Sequence, residues 1–162
     1  MTYFFDFETD FIESLRCIPM RVRMKLDTCG VKLKLTHWHQ FNRSERQSLV
    51  ELACENSLEI ENYRQYLQSL VIKYTGEPAA ELQTENNPPW LNETDVPDTV
   101  REKARSHHLN ITQKQWQSLT PAQRFALIKL SRPSHENRNF VPAMQEFNLL
   151  EETTSLPETI EK

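Results

Sequence analysis

Residues 18–52 and 96–130 are two versions of one segment, related by a shift of 78 positions with no gap. Ile18-Pro19 lies over Val96-Pro97, Val22 over Val100, Arg23 over Arg101 and Lys25 over Lys103. Further on, Trp38 lies over Trp116, Phe41 over Leu119, Arg46 over Arg124, Leu49 over Leu127 and Leu52 over Leu130. Eight of these 35 positions are identical, and the matches fall on Pro, Trp and a periodic apolar set. A repeat of this length is too long for a solenoid unit and predicts two related halves.

Which backbone the halves share is set by their disagreement. Taken alone, Met20-Arg21-Val22-Arg23-Met24-Lys25-Leu26 and Val31-Lys32-Leu33-Lys34-Leu35 alternate with period two around Asp27-Thr28-Cys29-Gly30, the pattern of a β-hairpin. The second copy, Pro97-Asp98-Thr99-Val100-Arg101-Glu102-Lys103-Ala104-Arg105, has no alternation. It places Pro at N1, acids in the first turn and basic residues toward the end, which is a helix pattern. The expectation is therefore helix in both copies, with Val31–Leu35 an extended connector. Thr36 and Ser44 are expected to cap the next two helices, and Thr112 and Pro121 to open their counterparts. A long helix follows over about 58–75, capped by Ser57 and stopped by Gly76, because Ile60, Tyr63, Leu67, Leu70 and Val71 recur at helical spacing. Pro133 is expected to end one helix and Pro142 to open the last.

The resulting fold class is all-α: two similar helical halves related by internal duplication and packed as one compact bundle. The first half spans 1–76 and includes an N-terminal extended segment. A linker occupies 77–95, the second half 96–150, and an acidic disordered tail 151–162. Pro19, Trp38, Arg46, Pro97, Trp116 and Arg124 are the expected structural anchors, with the tryptophans in the core.

Chemistry is sparse. The chain has no Gly-rich phosphate loop, no GxSxG, no HExxH and no calcium loop. The three cysteines, Cys17, Cys29 and Cys54, lack CxxC spacing and read as reduced thiols. His37, His39, His107 and His108 combine with Cys17 or Cys29 into no tetrahedral ligand set, so neither metal nor cofactor is expected. Asp6, Glu8 and Asp10 read as surface or capping groups rather than a catalytic acid pair. No apolar run approaches the ~20 residues of a membrane helix. The N-terminus lacks the features of a signal peptide, so the expected location is cytoplasmic.

The net charge of −4 is unevenly placed. Residues 1–76 balance, with ten basic and ten acidic side chains, and the deficit lies beyond them. One local excess of positive charge runs through Arg16, Arg21, Arg23, Lys25, Lys32 and Lys34. On an acidic chain this is a solvated or protein-facing surface rather than a nucleic-acid footprint.

The run Phe4-Phe5-Asp6-Phe7-Glu8-Thr9-Asp10-Phe11-Ile12-Glu13-Ser14-Leu15-Arg16-Cys17-Ile18-Pro19-Met20-Arg21-Val22-Arg23-Met24-Lys25-Leu26-Asp27 resembles the opening of the nitrate reductase-associated protein family of cyanobacteria. Gly30-Val31-Lys32-Leu33-Lys34-Leu35 and the Trp38-x-x-Phe41 pair continue the likeness, which extends more loosely to about residue 150. The resemblance implies a small cytoplasmic accessory protein needed for active assimilatory nitrate reductase. Its implied partner is the enzyme or its molybdenum-cofactor insertion machinery. No catalytic residue is implied. The expected docking surface has Phe7, Phe11 and Met20 as apolar anchors and Arg16, Arg21, Arg23 and Lys25 for electrostatic steering. The competing reading is a redox or metal-binding module that uses Cys17, Cys29 and the nearby histidines.

Overall fold

The computed structural model of the chain describes residues 4–8, 17–132 and 138–150. Phe11, Arg16, Pro133 and the acidic tail 151–162 lie outside the described residues. The structure is mainly helical, with eight α-helices and one two-stranded sheet among the described residues. The chain divides into two compact units, one up to Asn86 and the other from Asn87.

In the first unit, α1 spans Met20–Cys29 and is a helix, not the arm of a hairpin. Its burial pattern explains why the alternation misleads. Met20, Val22, Leu26 and Cys29 are buried at helical spacing, while Met24 is only half-buried. Gly30 ends the helix at φ +80, and a Cβ there would lie 2.9 Å from the Leu82 carbonyl oxygen. Both the backbone angle and the close approach require glycine. Strand β1 (Val31–Lys32) pairs antiparallel with β2 (Ala80–Glu81), Val31 opposite Glu81. Helices α2 (Leu35–Gln40), α3 (Arg43–Glu51) and α4 (Ser57–Thr75) complete the unit. Its core joins Val22, Trp38, Leu49, Tyr63, Leu67 and Val71.

The second unit holds α5 (Asp98–Ser106), α6 (Gln113–Ser118), α7 (Pro121–Leu130) and α8 (Phe140–Glu146). Trp90, in a 3-10 turn over Pro89–Leu91, packs edge-on against Phe125 at 5.0 Å. The segment expected as a linker, 77–95, is thus shared between the units. Its first part carries β2, and its second part buries Trp90 in the other unit.

The 78-residue spacing runs through the local structure. Helix α2 coincides with α6, residue for residue, and α1 and α3 with α5 and α7 to within two residues at their ends. Pro19 and Pro97 both stand at N-cap, one position before the expected N1, with ψ 154 and 147. Arg23 Nε donates to the Ile18 carbonyl at 3.1 Å, and an Arg101 terminal nitrogen donates to that of Val96 at 2.8 Å. Gly30 and His108, again 78 apart, both have positive φ.

Trp38 and Trp116 are fully buried. At ~25 cal/mol per Å², burying ~200 Å² of indole contributes on the order of 5 kcal/mol before conformational entropy is counted. An arginine eight residues after each tryptophan closes the turn behind it. Arg46 Nε donates to the Trp38 carbonyl at 3.0 Å, and its Nη2 to that of His39 at 2.9 Å. Arg124, only 2% exposed, donates to the carbonyls of Trp90 (2.8 Å), Trp116 (3.2 Å) and Leu119 (2.7 Å).

Caps differ from expectation at several helix starts. Lys34 stands at the N-cap of α2, Asn42 at that of α3 and Asn56 at that of α4, in place of Thr36, Ser44 and Ser57. Asn42 with Glu45 and Asn56 with Glu59 form capping boxes, which outcompete a lone serine because both ends of the box satisfy a helix-start N–H. Thr112 caps α6 with Gln115, and Thr120 caps α7, which Pro121 opens. Pro142 lies within the first turn of α8, where its missing N–H leaves no helical bond unmade.

Glu45 is also the polar link between α3 and α4. Its buried carboxylate accepts Lys73 Nζ, the Tyr74 hydroxyl and its own cap N–H, each at 2.8 Å. Burial pushes this carboxyl up, but the bonds from Lys73, the Asn42 backbone and Tyr74 outweigh it and hold it below the usual value.

Two predictions follow from these polar clasps. Arg124→Met should destabilise the protein by about 3 kcal/mol, because three inward carbonyls lose their donor, at ~1–3 kcal/mol each, against relief of a buried charge. Arg46→Met, at a half-exposed site that water reaches, should cost about 1 kcal/mol. Urea-unfolding midpoints measure both, and equal shifts would contradict the asymmetry. For Glu45, a depressed folded pKa means that its contribution is complete above the unfolded value near pH ~4 and is lost as pH falls through the lower, folded one. The stability gap between wild type and Glu45→Gln should therefore be full at pH 7 and close in acid. A gap that widens in acid would reverse the sign.

Candidate functional site

The basic stretch of the first unit is placed on α1 and the connector after it. The helix turns its charged side chains partly back onto the protein. Arg21, Arg23 and Lys25 are half-buried, while Lys32 and Lys34 are exposed. Arg23 is occupied by the Ile18 carbonyl. Lys25 Nζ donates to the Val50 and Leu52 carbonyls at 2.7 and 2.6 Å. These two carbonyls end α3 without helical partners, which makes the C-terminus of that helix a cation site. Lys25 also sits 5.6 Å from the centre of the Tyr63 ring. Arg21 keeps Nε out of water without a hydrogen bond.

The expected apolar anchors fare similarly. Met20 is 5% exposed and belongs to the interior, because it opens the buried stripe of α1. Phe7 is half-buried and stacks on Phe5 with ring centres 5.3 Å apart. Glu8, expected as a surface or capping group, is buried and caps: it accepts the backbone N–H of Met20 at 2.7 Å and that of Phe5 at 3.0 Å. Met20 packs in the core, and the half-buried Arg23 and Lys25 also brace the fold through their carbonyl partners.

The described thiols and histidines form no ligand cluster. Cys17 is exposed, and Cys29 and Cys54 are buried. Burial pushes the Cys29 thiol up to about 11 and that of Cys54 up to about 12. His37 Nδ1 accepts the Lys34 backbone N–H at 3.2 Å, and burial together with Lys34 holds that ring below its usual pKa. His107 stacks on Phe140. Among the described residues, no three His, Cys, Asp or Glu side chains converge as a metal site would need. The redox or metal-binding reading draws no support from this arrangement.

Sequence reasoning missed a groove of about 480 Å³ between the end of α3 and the first half of α4. Ser48, Leu52 and Ala53 line one side and Glu59, Asn62 and Tyr66 the other, with Tyr63 at the base. Leu52 belongs to the same periodic apolar set as Leu49 and is expected on the same helix. Instead α3 stops at Glu51, and Leu52 takes ψ 137 as its C-cap, which carries its side chain out to 40% exposure. Its counterpart Leu130 remains the last residue of α7 and is 2% exposed. The signal was present in Leu52-Ala53-Cys54-Glu55-Asn56, where the Asn56 capping box begins a new helix and forces the previous one to end. The second unit has its own hollow of about 520 Å³, with Lys114, Gln115 and Asn148 among its lining.

Fold and site together define a small, mainly helical protein whose described surface offers side-chain-sized grooves. No helix among the described residues is long and apolar enough to cross a membrane. The chain belongs to the conserved nitrate reductase-associated protein family, whose pattern it matches over residues 4–147. No curated protein and no solved structure matches it.

The thiol environments are open to a direct check. Near pH 8, native protein should expose one fast-reacting thiol, Cys17, to an aromatic disulfide reagent. Cys29 and Cys54 should react only after denaturant is added, because burial both shields them and suppresses the thiolate. Three fast thiols in the native protein would contradict the burial described.

Proposed function

We propose that this protein is a non-enzymatic accessory factor that brings assimilatory nitrate reductase to its active form. It would act by binding the enzyme or the machinery that delivers its molybdenum cofactor. Family membership across residues 4–147 carries the reading, since the family is described by its association with nitrate reductase. A cytoplasmic location, in cyanobacteria, belongs to the same proposal. So does the origin of the two units by internal duplication, for which the 78-residue agreement of helices and arginine bonds is the support.

Cells lacking the protein should contain nitrate reductase polypeptide at normal abundance with little activity, and the isolated enzyme should be deficient in molybdenum. Tagged protein should also retain the enzyme or a cofactor-delivery protein from nitrate-grown cells. Full nitrate reductase activity in the deleted strain would overturn the proposal.

A further inference from the structure

We propose that the groove between α3 and α4 receives an amphipathic helix of the partner protein, one that presents apolar side chains flanked by lysine or arginine. This inference rests on the accessory role above and specifies where and how the partner binds.

Three observations converge on this surface. The first is its apolar content. Leu52 and Ala53 are exposed beside Tyr66, and Leu58, at 70% exposure, lies one turn before Asn62 on α4. A hollow of about 480 Å³ falls within the ~300–1,000 Å³ range of binding pockets and admits large anchoring side chains.

The second is charge. Glu51 and Glu55 are exposed at the end of α3 and in the turn after it, and Glu59 lines the groove. Lys25, the cation at this end of α3, already serves the Val50 and Leu52 carbonyls. Lys25 keeps its charge there, but Glu51, Glu55 and Glu59 outnumber it, so the rim is negative on balance and a basic-flanked segment is its complement.

The third is the contrast with the other unit. At the positions 78 residues on from Ser48, Leu52 and Ala53, the residues Ala126, Leu130 and Ser131 are all buried. The same stretch of local structure is covered there and left uncovered here. A groove formed by two helices and lined along one helix at i, i+3, i+4 and i+7 (Glu59, Asn62, Tyr63, Tyr66) suits a third helix.

The test uses the full chain. Isotope-labelled protein is titrated with an amphipathic Leu–Lys helical peptide and with its Leu–Glu analogue, and binding of purified nitrate reductase is measured in parallel. The Leu–Lys peptide should shift the amides of Ser48, Ala53, Asn62 and Tyr66, and the Leu–Glu analogue should leave them unmoved. Leu52→Glu should weaken both peptide and enzyme binding about tenfold or more, the scale of a lost anchor. Paired Glu51→Lys and Glu55→Lys changes lie on the surface and should do the same with the fold intact, so they carry the test if Leu52→Glu disturbs folding. Peptide shifts elsewhere, or none, would overturn the groove. Enzyme binding unchanged in the paired variant would also overturn it and leave the accessory role standing. Peptide held in the groove by a wild-type protein that never binds nitrate reductase would support the groove while refuting direct binding of that enzyme.

Discussion

An arginine that reaches back eight residues to the carbonyl of a buried tryptophan recurs in both units and closes the short helix that carries the tryptophan. Helices α2 and α6 are six residues long, far below the length at which a helix persists by itself in water. They survive because the indole anchors one face and the guanidinium holds the carbonyls at the exit. Arg46 does this for Trp38 and His39, and Arg124 for Trp116, Leu119 and Trp90. A guanidinium suits the task because its donors point in several fixed directions, whereas an ammonium is a compact point charge on a flexible stem. Arg124 shows the stricter version, since its carbonyl partners come from two separate segments, the Pro89–Leu91 turn and the end of α6, and its side chain is closed to water.

The same economy of polar groups runs through the first unit. Glu8 covers the open start of α1, Lys25 the open end of α3, and Glu45 joins the start of α3 to the end of α4. Each helix end buried in a small domain needs such a partner, because an unsatisfied backbone group inside costs as much as a good hydrogen bond contributes. Charges that look like a steering patch along the sequence are therefore partly structural. Arg23 and Lys25 illustrate how a basic run on an amphipathic helix divides between bracing and display.

That division bears on function. Around the mouth of the α3–α4 groove, exposed leucines and carboxylates occur together: Leu52 and Leu58 with Glu51 and Glu55. Distinctive residues such as Ile18, Pro19 and Met20 open α1 and pack inward, so their distinctiveness reflects how the unit starts. The free surface arises where a helix ends early and releases a leucine.

Periodicity and the 78-residue alignment made the helical class legible. The helix pattern of residues 97–105, aligned 78 positions on, overruled the hairpin pattern of Met20–Leu35, and Gly76, Thr112 and Pro121 marked ends that the structure keeps. Trp38 and Trp116 were readable as buried because large aromatics at helical spacing have few other places to go. The choice among competing caps was not readable. Asn42 and Asn56 prevailed over Ser44 and Ser57 once their partner glutamates could reach back. Nor was the candidate site readable, since Leu52 and Leu130 occupy equivalent positions and differ only in whether their helix continues. Side-chain pattern is local and is written in the chain. Which carbonyl a long cation reaches, and which leucine is left facing water, depends on where separate helices end in space, and only tertiary packing decides that.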